Sequence, residues 1–160
     1  MSDAQVSGPT GLGGWLVLVA IGLVLSSLRL LALLGQVFVP IFRDGTWAIL
    51  TTPGSQAYHP LWAPLLVFEL VGNIGFIAAQ LWLLVLFFRR SKSFPKLYVW
   101  AALLNLPFIL VDAWLGSFVL TEEPMIDPDT AKEIARSVAT IAIWVPYMRV
   151  SRRVRNTFVA

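Results

Sequence analysis

Four charged residues stand inside otherwise apolar stretches of the chain: Arg29, Glu69, Asp112 and Arg136. An isolated charge at bilayer depth is unfavourable by at least about 2.5 kcal/mol on insertion scales, so residues of this kind pair with one another, line water or bind something. At 1.5 Å per helical residue, Arg29 lies about 21 Å past Trp15 on a helix running outward, and Glu69 about 8 Å past Pro64 on a helix running inward. Asp112 lies about 26 Å past Pro95 on the next outward helix, and Arg136 falls close to the outer end of the last one. All four therefore reach the outer third of the bilayer. Two are positive and two negative, so the cluster is neutral if they meet. Two readings follow. Either Arg29 pairs with Glu69 or Asp112, and Arg136 with the other, as fixed ties that set helix register, or a proton, cation or substrate binds there and changes the pairing.

Each helix that carries one of these charges also carries a polar face. Gly22, Ser26, Arg29 and Gln36 share one side of the first helix, and Glu69, Asn73, Phe76 and Gln80 one side of the second, with Gly72 and Gly75 beside them to let a neighbour approach. Asn105, Asp112 and Gly116 share a face of the third, and Glu133, Arg136 or Ser137, Thr140, Trp144 and Tyr147 a face of the fourth. In lipid such faces turn inward. The pattern predicts an all-α integral membrane protein, a four-transmembrane-helix bundle with its polar residues at the centre. Asn73, Gln80 and Asn105 continue the charged cluster inward.

The elements that must position these groups are long apolar runs, with spans at about residues 14–40, 64–88, 95–120 and 130–150 of a single membrane domain, 1–160. The first exceeds a signal-peptide core, and the segment before it, MSDAQVSGPTG, has no Lys or Arg, so it reads as an uncleaved helix. Pro107 is placed to kink the third. In the fourth, only SVATIAIWVPYM lies uncharged between Arg136 and Arg149, so spanning requires one of them to snorkel or be buried. A surface amphipathic helix is the competing reading there. Asp127, Pro128 and Asp129 form a helix start. Arg89, Arg90, Lys92 and Lys96 between spans two and three, and Arg149, Arg152, Arg153 and Arg155 after span four, belong on the cytoplasmic side. The link TEEPMIDPD is purely acidic, and parity then leaves both termini inside. Trp15, Trp82, Trp100 and Trp144 fall toward the inner ends and Trp47, Trp62 and Trp114 toward the outer ones, as interfacial anchoring asks, although simple packing explains any single Trp. Between spans one and two, Pro53 and Gly54 suit a type II turn, and Trp47, Ile49 and Tyr58 could flank it as a short outer-surface β-hairpin.

Composition agrees with the runs. Of 160 residues 58% are hydrophobic and 13% charged, with mean hydropathy +0.76, against about 25% charged in ordinary soluble domains. The absence of cysteine excludes disulfides, iron–sulfur clusters and thiol catalysis. Net charge is +3, but the basic residues cluster where membrane orientation asks for them, so no nucleic-acid partner is implied. Gly11, Gly13 and Gly14 do not have the spacing of a nucleotide loop. His59, the single histidine, has no second ligand at metal spacing, so no metal is expected. Serines and threonines lack a base partner, which argues against an enzyme, and no cofactor is implied. No internal repeat of the kind found in transporters stands out.

The two ends of the sequence carry a further pattern, GLGGWL at Gly11 to Leu16 and IWVPYMRVSRRVRNTF near residue 160. In these stretches the chain resembles the bacterial membrane-protein family catalogued as domain of unknown function 2569, over essentially its whole length. The residues that carry the resemblance are Gly13, Gly14 and Trp15, then Trp144, Pro146, Tyr147, Ser151, Arg153, Val154, Thr157 and Phe158. The resemblance implies a four-span protein of the bacterial inner membrane, and no particular activity. The closing pattern falls at the inner face, opposite the charges, where a gate or a partner-docking surface would stand.

Together these readings predict a small transporter or channel-like protein with Arg29, Glu69, Asp112 and Arg136 in an outward-facing polar cavity. The alternative is a non-catalytic accessory or scaffold protein that binds a membrane partner or lipid. Membrane lipids are expected partners, with a homodimer or a second membrane protein as further ones.

Overall fold

The computed structural model describes residues 10–120 and 124–160, and its described residues are helices and connecting turns with no strand. Four long helices, α1 (Trp15–Arg43), α3 (Trp62–Phe88), α4 (Ser93–Ser117) and α5 (Pro128–Val150), are joined by a short α2 (Thr46–Thr51) and followed by a short α6 (Arg152–Thr157). Of these, α1, α3 and α4 are long and apolar enough to cross a membrane. The described residues are thus all-helical as expected, with three such helices where the sequence predicts four spans. α5 is about 34 Å long at 1.5 Å per residue, but Lys132, Glu133, Arg136 and Arg149 keep its composition short of a membrane span.

Local chemistry sets the helix boundaries. Pro40 sits in the last turns of α1, and the Asp44 N–H closes the helix on the Pro40 carbonyl. α3 ends in a six-residue hydrogen-bonded motif, with Ser91 N–H to the Leu86 carbonyl and Arg90 N–H to the Phe87 carbonyl, both 3.0 Å. Arg90 takes the left-handed conformation of that motif at φ +52°. The Ser91 hydroxyl then accepts the Ser93 N–H as α4 begins. Asp127 caps α5 as the sequence predicts, accepting the N–H groups of Asp129 and Thr130 at 2.6 and 3.0 Å, with Pro128 in the first turn. The α5–α6 break falls at Ser151, whose extended backbone stops α5 and whose hydroxyl accepts the Val154 N–H.

The expected hairpin between the first two long helices does not form. The turn at Pro53–Gly54 is there, closed by Ser55 N–H to the Thr52 carbonyl, but the upstream flank is α2, with Trp47 stacked on Phe42. Pro60 has no N–H to give a ladder, whereas helix formation closes the Ile49 and Thr52 N–H groups on the Gly45 and Ala48 carbonyls. Glu122 and Glu123 of the acidic link, and the first nine residues, lie outside the described residues.

The long helices pack in series: α1 along α3, α3 along α4, α4 along α5. On the remaining side α1 and α5 meet through side chains, Trp15 edge-on to Trp144 at 6.3 Å and Arg29 to Glu133 at 2.6 Å. The main buried cluster lies at the end that holds both chain-end patterns, the motif end, while Phe38, Leu65 and Leu66 are buried toward the other. Leu16, Leu83, Phe87, Phe94, Met148 and Val154 are buried at the motif end. Phe158 stacks on Phe94 at 4.6 Å and tilts against Phe87 at 5.8 Å. Along the sides, Leu25, Val71, Trp82 and Leu104 are among the many exposed large apolar residues. In lipid, where tails are as apolar as leucine, such a surface is satisfied.

Candidate functional site

Away from the motif end the four long helices separate and enclose a cavity of about 710 Å³. Drug-sized ligand pockets run from roughly 300 to 1,000 Å³. All seven residues that the sequence nominates for binding, Arg29, Glu69, Asn73, Gln80, Asn105, Asp112 and Arg136, line this one cavity. They come from all four long helices, as their faces predict. Ser26, Thr140 and Trp144 join them, while Gln36, Gly116 and Tyr147, placed on the same faces by periodicity, are not part of the wall.

The charges do not pair as the depth count suggests. Arg29 Nη2 donates to Glu133 Oε1 at 2.6 Å, a half-exposed contact between α1 and α5. Glu69, Asp112 and Arg136 have no ion-pair partner among the described residues. Instead Glu69, Asp112 and Glu133, one each from α3, α4 and α5, stand close enough to feel one another's charge. The expected neutral cluster therefore gains a third carboxyl, because α5 turns Glu133 toward Arg29. Asp112 Oδ1 is buried and without a hydrogen-bond partner among the described residues. A buried oxygen in that state carries its full desolvation penalty, about 1–3 kcal/mol and more for a charged group.

Deeper in the cavity the polar groups are satisfied. Gln80 Oε1 accepts from the hydroxyls of Ser26 and Ser27, at 2.9 and 2.8 Å, tying α3 to α1. Asn105 Nδ2 donates to Ser137 Oγ at 3.2 Å, tying α4 to α5, and Asn73 Nδ2 donates to the Glu69 carbonyl. Gln80 and Asn105 thus fix helix positions, whereas the Glu69 and Asp112 carboxyls beyond them have no such tie among the described residues. At the cavity rim, hydrogen bonds from the Thr130 hydroxyl and then the Thr130 and Asp129 N–H groups hold the Asp127 carboxyl below the usual carboxylate range.

One wall is aromatic. Phe108 of α4 lies over Gly72 of α3, stacked on Phe68 at 5.1 Å and edge-on to Phe76 at 5.2 Å. A Cβ at Gly72 would collide with that ring, so this glycine admits the neighbour that the sequence expects. Gly75 admits none, having open space beside it.

The family-pattern residues gather at the motif end. The Arg153 guanidinium lies against Gly13 and Gly14, with Nη1 2.9 Å from where a Gly13 Cβ would stand. Thr157 Oγ1 donates to the Gly11 carbonyl at 3.3 Å, and Trp144 meets both Trp15 and Tyr147 edge-on. Pro146 lies inside α5, four residues before its end. Sequence reasoning missed Glu133 as a partner for Arg29, the paired serines on Gln80, and Phe108. Glu133 stands on the polar face that the sequence assigns to the fourth helix, but its type and spacing do not single it out as a partner for Arg29.

The residues that carry the family pattern at the two chain ends are thus brought together. The family described as "Protein of unknown function (DUF2569)" matches residues 9–159. The chain belongs to that family. Among curated proteins, "Inner membrane protein YdgK" of Escherichia coli (strain K12) is similar, 27% identical over 157 residues that cover 94% of this chain and 95% of the relative. No solved structure matches. With three helices able to cross a bilayer and an inner-membrane relative of the same length, the chain is an integral membrane protein, and the inner membrane is the supported location.

Proposed function

We propose that this protein is a small transporter or channel-like protein whose pathway runs through the cavity between α1, α3, α4 and α5. In this reading α5 is a fourth span, Arg136 and Glu133 being accommodated against the cavity, and both termini are cytoplasmic, with Arg89, Arg90, Lys92, Arg152 and Arg155 at the inner face. The protein is one domain, is no enzyme and works in contact with membrane lipids. Four helices rarely enclose a wide path alone, so a homodimer is part of the proposal.

The observation that carries the reading is the convergence of Glu69, Asp112 and Arg136 on one cavity of about 710 Å³ without an ion-pair partner among the described residues. Structural ties would be paired, since half-satisfied buried charge is costly. The test is ion and proton flux in proteoliposomes under an imposed pH gradient. Flux is expected from the native chain and is expected to vanish in Glu69→Gln and Asp112→Asn at unchanged melting temperature. Native protein with no flux above empty liposomes, or variants that conduct normally, would refute it.

The accessory-protein reading rests on the motif end. The family-pattern residues concentrate where the chain ends interlock, with Trp144 alone among them lining the cavity. A membrane partner docking there would explain that concentration, and such a partner would be captured equally by native protein and by the two carboxyl variants.

A further inference from the structure

The cavity's wall says more about its occupant than that it is polar. We infer that it binds a lipophilic organic cation, which reaches it sideways from the bilayer through the seam between α1 and α5. The inference rests on the transport reading above and narrows its substrate class.

Three features on the wall select this chemistry together. The first is charge: Glu69, Asp112 and Glu133 line one cavity, and the one pair that any of them makes among the described residues, Glu133 with Arg29, leaves two carboxyls against Arg136. The second is spacing. Among the described residues no three acidic or histidine side chains are arranged to hold a metal ion, so the carboxyls suit a charge spread over a larger body. The third is the aromatic wall, where Phe76 and Phe108 present ring surface to the same space. Aromatic faces attract cations through the ring quadrupole and offer an anion nothing comparable. A volume of about 710 Å³ fits a body of drug size.

The seam supplies the route. α3 packs along both α1 and α4, and α4 along α5, but α1 and α5 are bridged by the half-exposed Arg29–Glu133 pair and by Trp15 on Trp144. At bilayer depth that half-exposed pair is costly to break unless another charge replaces one partner, so the seam opens for a molecule that brings its own charge. A molecule arriving from lipid would meet Arg29 and Glu133 first, and a cation would compete with Arg29 for the Glu133 carboxylate. Asp112 Oδ1, buried with no donor, would then gain a counter-charge.

The experiment is equilibrium dialysis of the purified full chain in neutral detergent with tetraphenylphosphonium, set against tetraphenylborate, an anion of nearly the same shape. Saturable binding of the cation at least tenfold tighter than of the anion is expected, weakened at least tenfold in Asp112→Asn. Should that variant fail to fold, Glu69→Gln carries the same expectation. Equal binding of the two ions, or cation binding unchanged in the folded variants, would overturn the inference. Selective cation binding by a protein that conducts nothing would support this site while removing the transport reading. Carboxyl-dependent flux without selective cation binding would do the reverse.

Discussion

The two ends of the helix assembly solve the same packing problem in opposite ways. At the motif end, Leu16 and Phe94 are 0% exposed, Val154 is 1% exposed, and aromatic rings from α3, α4 and the segment after α6 interlock. Toward α2 and the start of α5 the same four helices part around a cavity and hold only side-chain bridges on one side. Within lipid, burying another leucine brings little hydrophobic gain, so association depends on van der Waals fit and polar ties. The motif end supplies the fit. The cavity end gives it up, and its unpaired carboxyls sit where the loss is concentrated. Close packing and open polar space are thereby separated along the helix axes.

That division can be broken at either end. The largest effect is expected at the motif end, where Phe94→Ala removes a ring fully buried among Phe87, Tyr98 and Phe158. A loss of about 3–5 kcal/mol is expected from such a truncation, measured as a drop in unfolding free energy in mixed micelles. A loss below about 1 kcal/mol would show that this end is not the anchor. Next comes Gly72→Ala, which forces the Phe108 ring away from α3 and should cost about 1–3 kcal/mol by overpacking. Because Phe108 lines the cavity, the same change should alter flux, whereas Phe94→Ala in surviving folded protein should not. The smallest effect concerns Asp127 at the cavity rim. Its depressed pKa means that its contribution is present above the usual carboxylate range and lost as pH falls through the lowered value. Asn caps a helix about as well without titrating, so Asp127→Asn should hold the start of α5 at low pH better than the native chain does. Circular dichroism melts across that range would read the difference, and identical pH profiles would remove Asp127 from the account.

Much of this arrangement was legible in the residues. Polar faces with helical spacing led to Arg29, Glu69, Asn73, Gln80, Asn105, Asp112 and Arg136, and one cavity contains them all. The Asp127–Pro128 start of α5 followed from capping chemistry. What periodicity could not supply was rotation between helices. Depth arithmetic brings charges to one level but leaves open which neighbour each meets, and so Arg29 was matched to Glu69 or Asp112 and found with Glu133. The segment after Arg43 misled for another reason. Trp47 and Ile49 alternate as a strand would, yet over six residues alternation and one helical turn differ little, and closing its own hydrogen bonds favoured α2. Phe108 escaped notice because a phenylalanine in an apolar run carries no mark of the glycine it will cover.

The clasp between Thr157 and the Gly11 carbonyl, with Arg153 over Gly13, also has a temporal side. Its partners are separated by 146 positions, nearly the full sequence. Synthesis runs at about 5–20 residues per second, N-terminal part first. α1 therefore emerges and enters the membrane several seconds before α6 exists, and for that interval the start of α1 waits without the partner that covers it. Insertion must be driven by the apolarity of α1 itself, and the clasp acts last, closing only when the intervening helices have brought residues 152–158 back to the start of α1.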